Sequence, residues 1–260
     1  MDLGLQDQTA VVFGAAGAIG GAIVDAFREA GCRVGGFDRA AVIEKRTDLH
    51  GIAGDATDSS EVTAAIDSFI RELGEIHHVV HTVGVGSGKF GFPFWNLTPT
   101  DWPRVLDINL VSAVNVATAI APHFTGLRRG TLLFTTSVAG QIGSQTDPPY
   151  SAAKAGLINF MQCAAKDFAA YDVRVNAISP GMVQTPLNES VWAAGQARLP
   201  DGDRRSYEDW GGEKVRTVSP LGRWQEPADF GAMAVFLASS KARNITGQTL
   251  NIDGGQVMHS

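Results

Sequence analysis

Short apolar, β-branched runs alternate along the chain with longer stretches of helical periodicity. The runs at residues 9–13, 33–37, 49–53, 78–83, 131–136, 173–179 and 249–252 have the length and composition of strands. Between them, helical patterns extend from a glycine-rich turn to about residue 30 and over 59–73, 99–124, 149–170 and 227–237. Strands alternating with helices predict an α/β fold, a doubly wound, mostly parallel seven-stranded sheet with helices on both faces, spanning residues 1–260 as one domain. Two stretches break the rhythm. Residues 84–97 are rich in glycine and aromatics, and residues 186–220 are polar with Gly and Trp. Loops this long in a compact domain usually serve function, so 186–220 is expected to be the substrate loop.

Composition narrows the partners. A chain of 260 residues with 44% hydrophobic residues can bury a full core. Its net charge is −6 and no run of Lys or Arg occurs, so no electrostatic footprint for nucleic acid or anionic lipid is present. The expected partner is a small molecule. Charged residues amount to 18%, below the usual share of about 25%, which suggests that other subunits cover part of the surface. Cys32 and Cys163 form no Cys-x-x-Cys pair and lie in apolar contexts, as core thiols of a reducing compartment would. The chain opens on neither a basic segment nor an apolar one of signal-peptide type, and no apolar run approaches the ~20 residues that span a bilayer. The cytosol is the expected location.

The first strand runs into Phe13-Gly14-Ala15-Ala16-Gly17-Ala18-Ile19-Gly20 and then a helix. Glycines at such a turn remove the Cβ atoms that would hold a pyrophosphate away from backbone N–H groups at the helix N-terminus. The second strand ends in Asp38, within the window of roughly 20 residues where an acid meets the adenosine ribose of a Rossmann-type domain. A carboxylate there accepts from both ribose hydroxyls and repels a 2′-phosphate, which favours NAD over NADP. Arg39 beside it supplies a guanidinium that can pair with that phosphate. Asp55, followed by Ala56, has two readings: a contact to the nucleotide at a strand C-terminus, or an N-cap of the helix that follows.

These residues, with those further on, resemble the short-chain dehydrogenases/reductases over essentially the whole chain. The family's Thr-Gly-x-x-x-Gly-x-Gly motif aligns with residues 13–20, with Phe13 in the first position and Ala18 in place of the middle glycine. Its Asn-Asn-Ala-Gly motif aligns with His81-Thr82-Val83-Gly84, of which the glycine alone is kept. The resemblance implies a catalytic set of Asn109, Ser137, Tyr150 and Lys154, the last two in Tyr150-Ser151-Ala152-Ala153-Lys154. Further cofactor contacts are implied for Ala16, Val83, Gly84, Pro180, Gly181, Val183 and Thr185, with Asn109 holding a water that links Lys154 to solvent. Relatives of this type are commonly tetramers, so a homo-oligomer, tetramer or dimer, is expected.

The chemistry suits the residues. Hydride transfer between an alcohol carbon and a nicotinamide needs a group that takes or gives the hydroxyl proton. A free tyrosine, with a pKa of about 10, is a poor base at neutral pH. Tyr150 and Lys154 lie one helical turn apart, and a nearby ammonium is expected to depress the phenol by roughly 1 to 3 units. Ser137, at the end of the fifth strand, is placed to orient the substrate oxygen. Gln145, Gln184 and Trp192 are candidate substrate contacts, and Phe90, Phe92, Phe94, Trp95 and Trp210 on the two long segments suggest a hydrophobic or aromatic alcohol or ketone. A 3-oxoacyl thioester or a polyol is the alternative.

Two rival functions fit parts of the pattern. Ser151 and Lys154 form a Ser-x-x-Lys pair as in acyl-serine hydrolases, but no Ser-Asp-Asn or Lys-Thr-Gly follows. A protein that senses NAD without turning anything over would also need the glycine turn. His77 and His81 have the i, i+4 spacing of a helical metal site, yet they flank a strand-like run, so they are read as structural and no metal is expected.

Overall fold

The structure, a computed structural model, describes residues 3–39, 43, 46 and 48–258 of the chain. Its strands are β1 (Thr9–Phe13), β2 (Arg33–Asp38), β3 (His50–Ala53), β4 (His78–His81), β5 (Gly130–Thr135), β6 (Val173–Pro180) and β7 (Thr249–Ile252). All pair in parallel, in the order β3-β2-β1-β4-β5-β6-β7. The helices are α1 (Ala18–Glu29), α2 (Ser59–Leu73), a short α3 (Pro103–Leu106), α4 (Ser112–Leu127), α5 (Pro148–Ala169), α6 (Pro186–Gln196), α7 (Tyr207–Val218) and α8 (Pro227–Ala238).

Alternation along each strand decides which side chain meets which layer. In β1, Ala10 and Val12 pack toward α1 and α8 with Ile23, Phe27 and Phe230. Val11 and Phe13 face α2, α4 and α5 with Phe69, Ile120 and Leu157. Both faces are apolar because both are covered, which is why the strands read as continuous hydrophobic runs. Strand order reverses between β1 and β4, and the crevice at such a switch point, beyond the strand C-termini, is where an open α/β sheet binds ligands. Phe13 is in register with Phe37 on one side and His81 on the other, so the residues that follow, Gly14, Asp38 and Thr82, emerge together.

Four expectations need correction. Residues 186–220 are not an irregular loop, because α6 and α7 lie within them. Thr185 accepts from the Asn188 N–H (3.3 Å) and Ser206 from that of Asp209 (3.1 Å), so both helices have side-chain caps that their weak apolar patterning concealed. The helix expected over 99–124 is interrupted by a π-helical turn at Asp107–Val111 before α4 begins. The stretch Pro99–Leu127 is long and apolar enough to cross a bilayer, although no run of that kind was expected. Its Ala113, Val116, Ile120 and Phe124 are fully buried against the sheet, as in a core helix. Finally, Cys32 is a core thiol, pushed up to about 11 by burial, but Cys163 is exposed because it lies on the outer side of α5.

Candidate active site

The crevice begins at the turn after β1. Gly14 has φ +86°, and a Cβ on it would stand 2.5 Å from the Thr82 hydroxyl oxygen. At Gly20 a Cβ would come within 2.0 Å of the Gly14 carbonyl oxygen, so α1 can pack this close only with glycine there. Ala18, which replaces a family glycine, is exposed at the first position of α1. Thr82, which replaces a family asparagine, donates its hydroxyl to the Phe13 (3.0 Å) and Gly14 (3.2 Å) carbonyls. It thereby fastens the end of β4 to the glycine turn.

Asp38 closes the far end of this groove. Its carboxylate accepts from the Ala16 N–H (3.0 Å) and the Arg39 N–H (2.8 Å), which orients it toward a cavity of about 430 Å³. Gly14, Arg39, Asp55, Ala56, Val83 and Gly84 line the same cavity, together with Arg104, which sequence reasoning did not single out. The two readings of Asp55 are now separable. Asp58 caps α2, accepting from the Ser60 and Glu61 N–H groups, whereas Asp55 accepts from the Thr57 N–H and hydroxyl at the groove wall. An adenosine end fits these residues: a glycine cradle that side chains would fill, an oriented carboxylate and the flanking strand ends.

Through Thr82 and Gly84 the groove continues into a second cavity of about 210 Å³, and this one holds the reactive side chains. Ser137, Tyr150 and Lys154 line it together with Ile19, Pro180, Gly181, Val183 and Thr185. Ser137 follows β5 in extended backbone and accepts from the Ala139 N–H. Tyr150 and Lys154 lie one turn apart on α5, whose start is set by Pro148, Pro149 and the Asp147 cap. Asp147 also accepts from the Ser87 N–H (2.7 Å), tying the 84–97 segment to the helix. It was missed in the sequence, although an acid before Pro-Pro and a helical pattern is an N-cap signal.

Burial, and not the neighbouring lysine, governs the titration of this pair. It pushes the Tyr150 phenol up to about 12, with hydrogen bonding from Ser137 drawing it partly back and the Asp147 carboxylate adding to the rise. The expected depression by Lys154 is therefore corrected: desolvation of a phenolate outweighs the ammonium. Lys154 donates to the Thr135 carbonyl (2.9 Å), its Nζ stands 5.6 Å from the centre of the Tyr150 ring, and burial brings it down to about 7. At neutral pH the phenol keeps its proton while the lysine is only partly charged.

Asn109 sits fully buried in the π-helical turn. Its carboxamide is spent on backbone, donating to the Val85 and Val105 carbonyls (both 2.8 Å) and accepting from the Val85 N–H (3.3 Å). It therefore holds the segment after Gly84 against the helix, beside Lys154. A local widening of a helix is a common way to aim one side chain at a site.

The expected substrate contacts fare worse. Gln145 and Gln184 are exposed and do not line the cavity. Trp192 donates its Nε1–H to the Arg205 carbonyl and packs edge-on against Tyr207, so it joins α6 to α7. Phe92, Phe94 and Trp95 are exposed, Phe90 stacks under Arg198, and Trp210 packs on Tyr207. None of these rings lines the cavity, which removes the basis for expecting an aromatic substrate. Leu187, Asn188 and Val191 of α6 and Lys214 of α7 take those places. Helical spacing alone did not separate them from the outward-facing residues beside them.

The decoys resolve structurally. Ser151 donates to the Ala139 carbonyl (2.5 Å) and accepts from the Ser144 N–H, outside the cavity that Lys154 lines, so the pair is no hydrolase dyad. His77 accepts from the Thr9 N–H, and His81, held neutral by burial with its pKa near 3, bonds Ser112.

Comparison with known proteins places this arrangement. A family model described as enoyl-(acyl carrier protein) reductase matches residues 14–257. The chain is 32% identical over 258 residues to an acetoacetyl-CoA reductase of Synechocystis sp., covering 98% of each sequence. It is also 32% identical over 263 residues to a D-threitol dehydrogenase of Mycolicibacterium smegmatis, covering 98% of this chain and 94% of that protein. The aldohexose dehydrogenase of Thermoplasma acidophilum superposes with a TM-score of 0.87 at 25% identity, over 100% of this chain and 98% of that one. The chain belongs to the short-chain dehydrogenase/reductase family of oxidoreductases.

Proposed function

We propose that this oxidoreductase interconverts a secondary alcohol and a ketone by hydride transfer with NAD, Tyr150 exchanging the hydroxyl proton. One observation carries the reading: Ser137, Tyr150 and Lys154 meet in a cavity that runs through Thr82 and Gly84 into a groove ending at Asp38. When bound, a nicotinamide nucleotide supplies the hydride donor or acceptor. Ser137 and Tyr150 hold the substrate oxygen between two hydroxyls. With its pKa near 12 the phenol is protonated at neutral pH, the form that donates to the carbonyl oxygen during reduction. In the oxidative direction the same group has to lose that proton, so oxidation gains from alkaline conditions. Thr135 holds the Lys154 Nζ against the phenol ring and next to the Gly84 turn.

The preference for NAD rests on Asp38. A carboxylate facing the ribose repels a 2′-phosphate by about 4 kcal/mol per unit charge at 4 Å and an effective dielectric near 20. Arg39 and Arg104 line the groove but do not neutralise Asp38 in an ion pair among the described residues. The compact cavity favours a small substrate, and the similarity to a D-threitol dehydrogenase supports a polar one. A 3-oxoacyl thioester is the second reading, supported by the 32% identity to an acetoacetyl-CoA reductase.

The test is a panel of small alcohols, ketones, polyols and 3-oxoacyl thioesters with both nucleotides, followed at the absorbance of the reduced nicotinamide. Turnover with a higher kcat/KM for NAD is expected. A higher value with NADP overturns the cofactor assignment, and nucleotide binding without turnover of any member overturns the catalytic one.

A further inference from the structure

The substrate cavity contains one cation that the hydride-transfer chemistry does not use. Lys214 lines it from α7, in the same cavity as Ser137 and Tyr150. It lies one turn after Trp210, and its Nζ stands 4.7 Å from the centre of that indole ring. The aromatic face holds the ammonium in place without neutralising it. Burial lowers its pKa, and no charged group offsets that effect.

The carboxylates nearby are engaged elsewhere. Glu213, the adjacent residue, is exposed and paired with Arg205. Asp147, the acid in the cavity wall, is occupied by the Ser87 and Tyr150 N–H groups. Among the described residues Lys214 has no ion pair and no hydrogen-bond acceptor. Asn188, on the facing α6, also lines the cavity. Its Oδ1 accepts from the Tyr207 hydroxyl (2.9 Å), which leaves its amide nitrogen as a second donor without a partner among the described residues. A partly buried ammonium with no counter-charge is held at some cost that an anionic ligand would offset. Such groups in a cleft mark binding sites.

We propose that Lys214 is an anion anchor, and that the substrate is a small hydroxy or oxo acid whose carboxylate seats on Lys214 while its hydroxyl or carbonyl faces Ser137 and Tyr150. Asn188 adds a neutral donor to the same carboxylate. This substrate class rests on the alcohol and ketone reading given above. It also explains why α7 turns a lysine inward on a face that otherwise buries Gly211 and Val215.

The test compares charged and uncharged versions of one substrate: a series of short oxo acids, each with its methyl ester, and a phosphorylated polyol as the other anionic source. The oxo acids and esters are assayed with NADH, and the phosphorylated polyol, already at the alcohol level, with NAD, in the wild type, Lys214→Met and Lys214→Arg. Binding of butanoate, a saturated carboxylate that cannot react, is measured in parallel by calorimetry in the presence of NAD. In the wild type the oxo acid is expected to exceed its ester in kcat/KM. In Lys214→Met that preference falls by roughly 10- to 100-fold, chiefly through KM, and butanoate binding weakens to match. Lys214→Arg, which keeps the charge, retains most of both. Equal use of acid and ester by the wild type, or an unchanged preference in Lys214→Met, overturns the anchor while leaving the hydride-transfer reading intact. A preference for the phosphorylated polyol over every oxo acid keeps the anchor and overturns the carboxylate. If no compound of either charge is turned over but butanoate binds through Lys214, the catalytic reading fails and the anion site stands.

Discussion

Lys154→Met is expected to stabilise the ligand-free protein at neutral pH while abolishing turnover. The lysine is buried, and its folded-state pKa of about 7 lies well below the 10.5 of an unhindered lysine. Between those values the unfolded chain binds more protons than the folded one, so the stability of the wild type rises with pH across that window. At about 1.4 kcal/mol per pKa unit, the charge withholds roughly 4 kcal/mol at pH 7. Methionine keeps most of the buried stem and loses the bond from Nζ to the Thr135 carbonyl, which is worth about 1 kcal/mol. The net gain is therefore about 3 kcal/mol, or a rise of roughly 6 to 12 °C in Tm for a chain of this size. Differential scanning fluorimetry of both proteins without nucleotide, from pH 7 to pH 10.5, measures it. Other titrating groups act alike in the two proteins, so the difference between their Tm values isolates Lys154. That difference should fall as pH rises, pass through zero near pH 10 and leave the variant slightly the less stable at pH 10.5, where the lost hydrogen bond of about 1 kcal/mol outweighs what remains of the charge effect. A variant no more stable than the wild type at pH 7, or a difference independent of pH, would refute the reasoning.

Three further outcomes are expected. Tyr150→Phe should lower kcat by about 10²- to 10⁴-fold with nucleotide affinity little changed, measured by steady-state kinetics and fluorescence titration; near-normal turnover would remove the phenol from the mechanism. Gly20→Ala places a Cβ about 2.0 Å from the Gly14 carbonyl, so nucleotide affinity should fall at least tenfold while circular dichroism still reports the α/β fold. Retained affinity would mean that the turn can shift without cost. Asp38→Ser should erode the ratio of NAD to NADP kcat/KM by roughly tenfold or more, and an unchanged ratio would place nucleotide discrimination elsewhere.

Much of the fold was legible in the chain because it rests on local periodicity. Seven apolar runs became the seven strands, with boundaries displaced by a residue or two. Gly14 and Asp38 could be picked out because each sits at a strand end whose place follows from the pattern, whereas Ser137, Tyr150 and Lys154 were legible through the motifs that resemble those of the family. Tertiary structure decided what depends on neighbours distant in sequence. Burial, set by every layer around the cavity, reversed the expected direction of the Tyr150 shift. The π-helical turn that directs Asn109 to the Val85 backbone left no mark in the helical pattern. In the stretch from 186 to 220, composition suggested aromatic contacts, but packing turned Trp192 and Trp210 onto Tyr207 and gave the cavity wall to Asn188, Val191 and Lys214. Periodicity is a property of the chain alone, whereas the direction of a side chain on a short helix, and the charge it can keep there, depend on what packs against it.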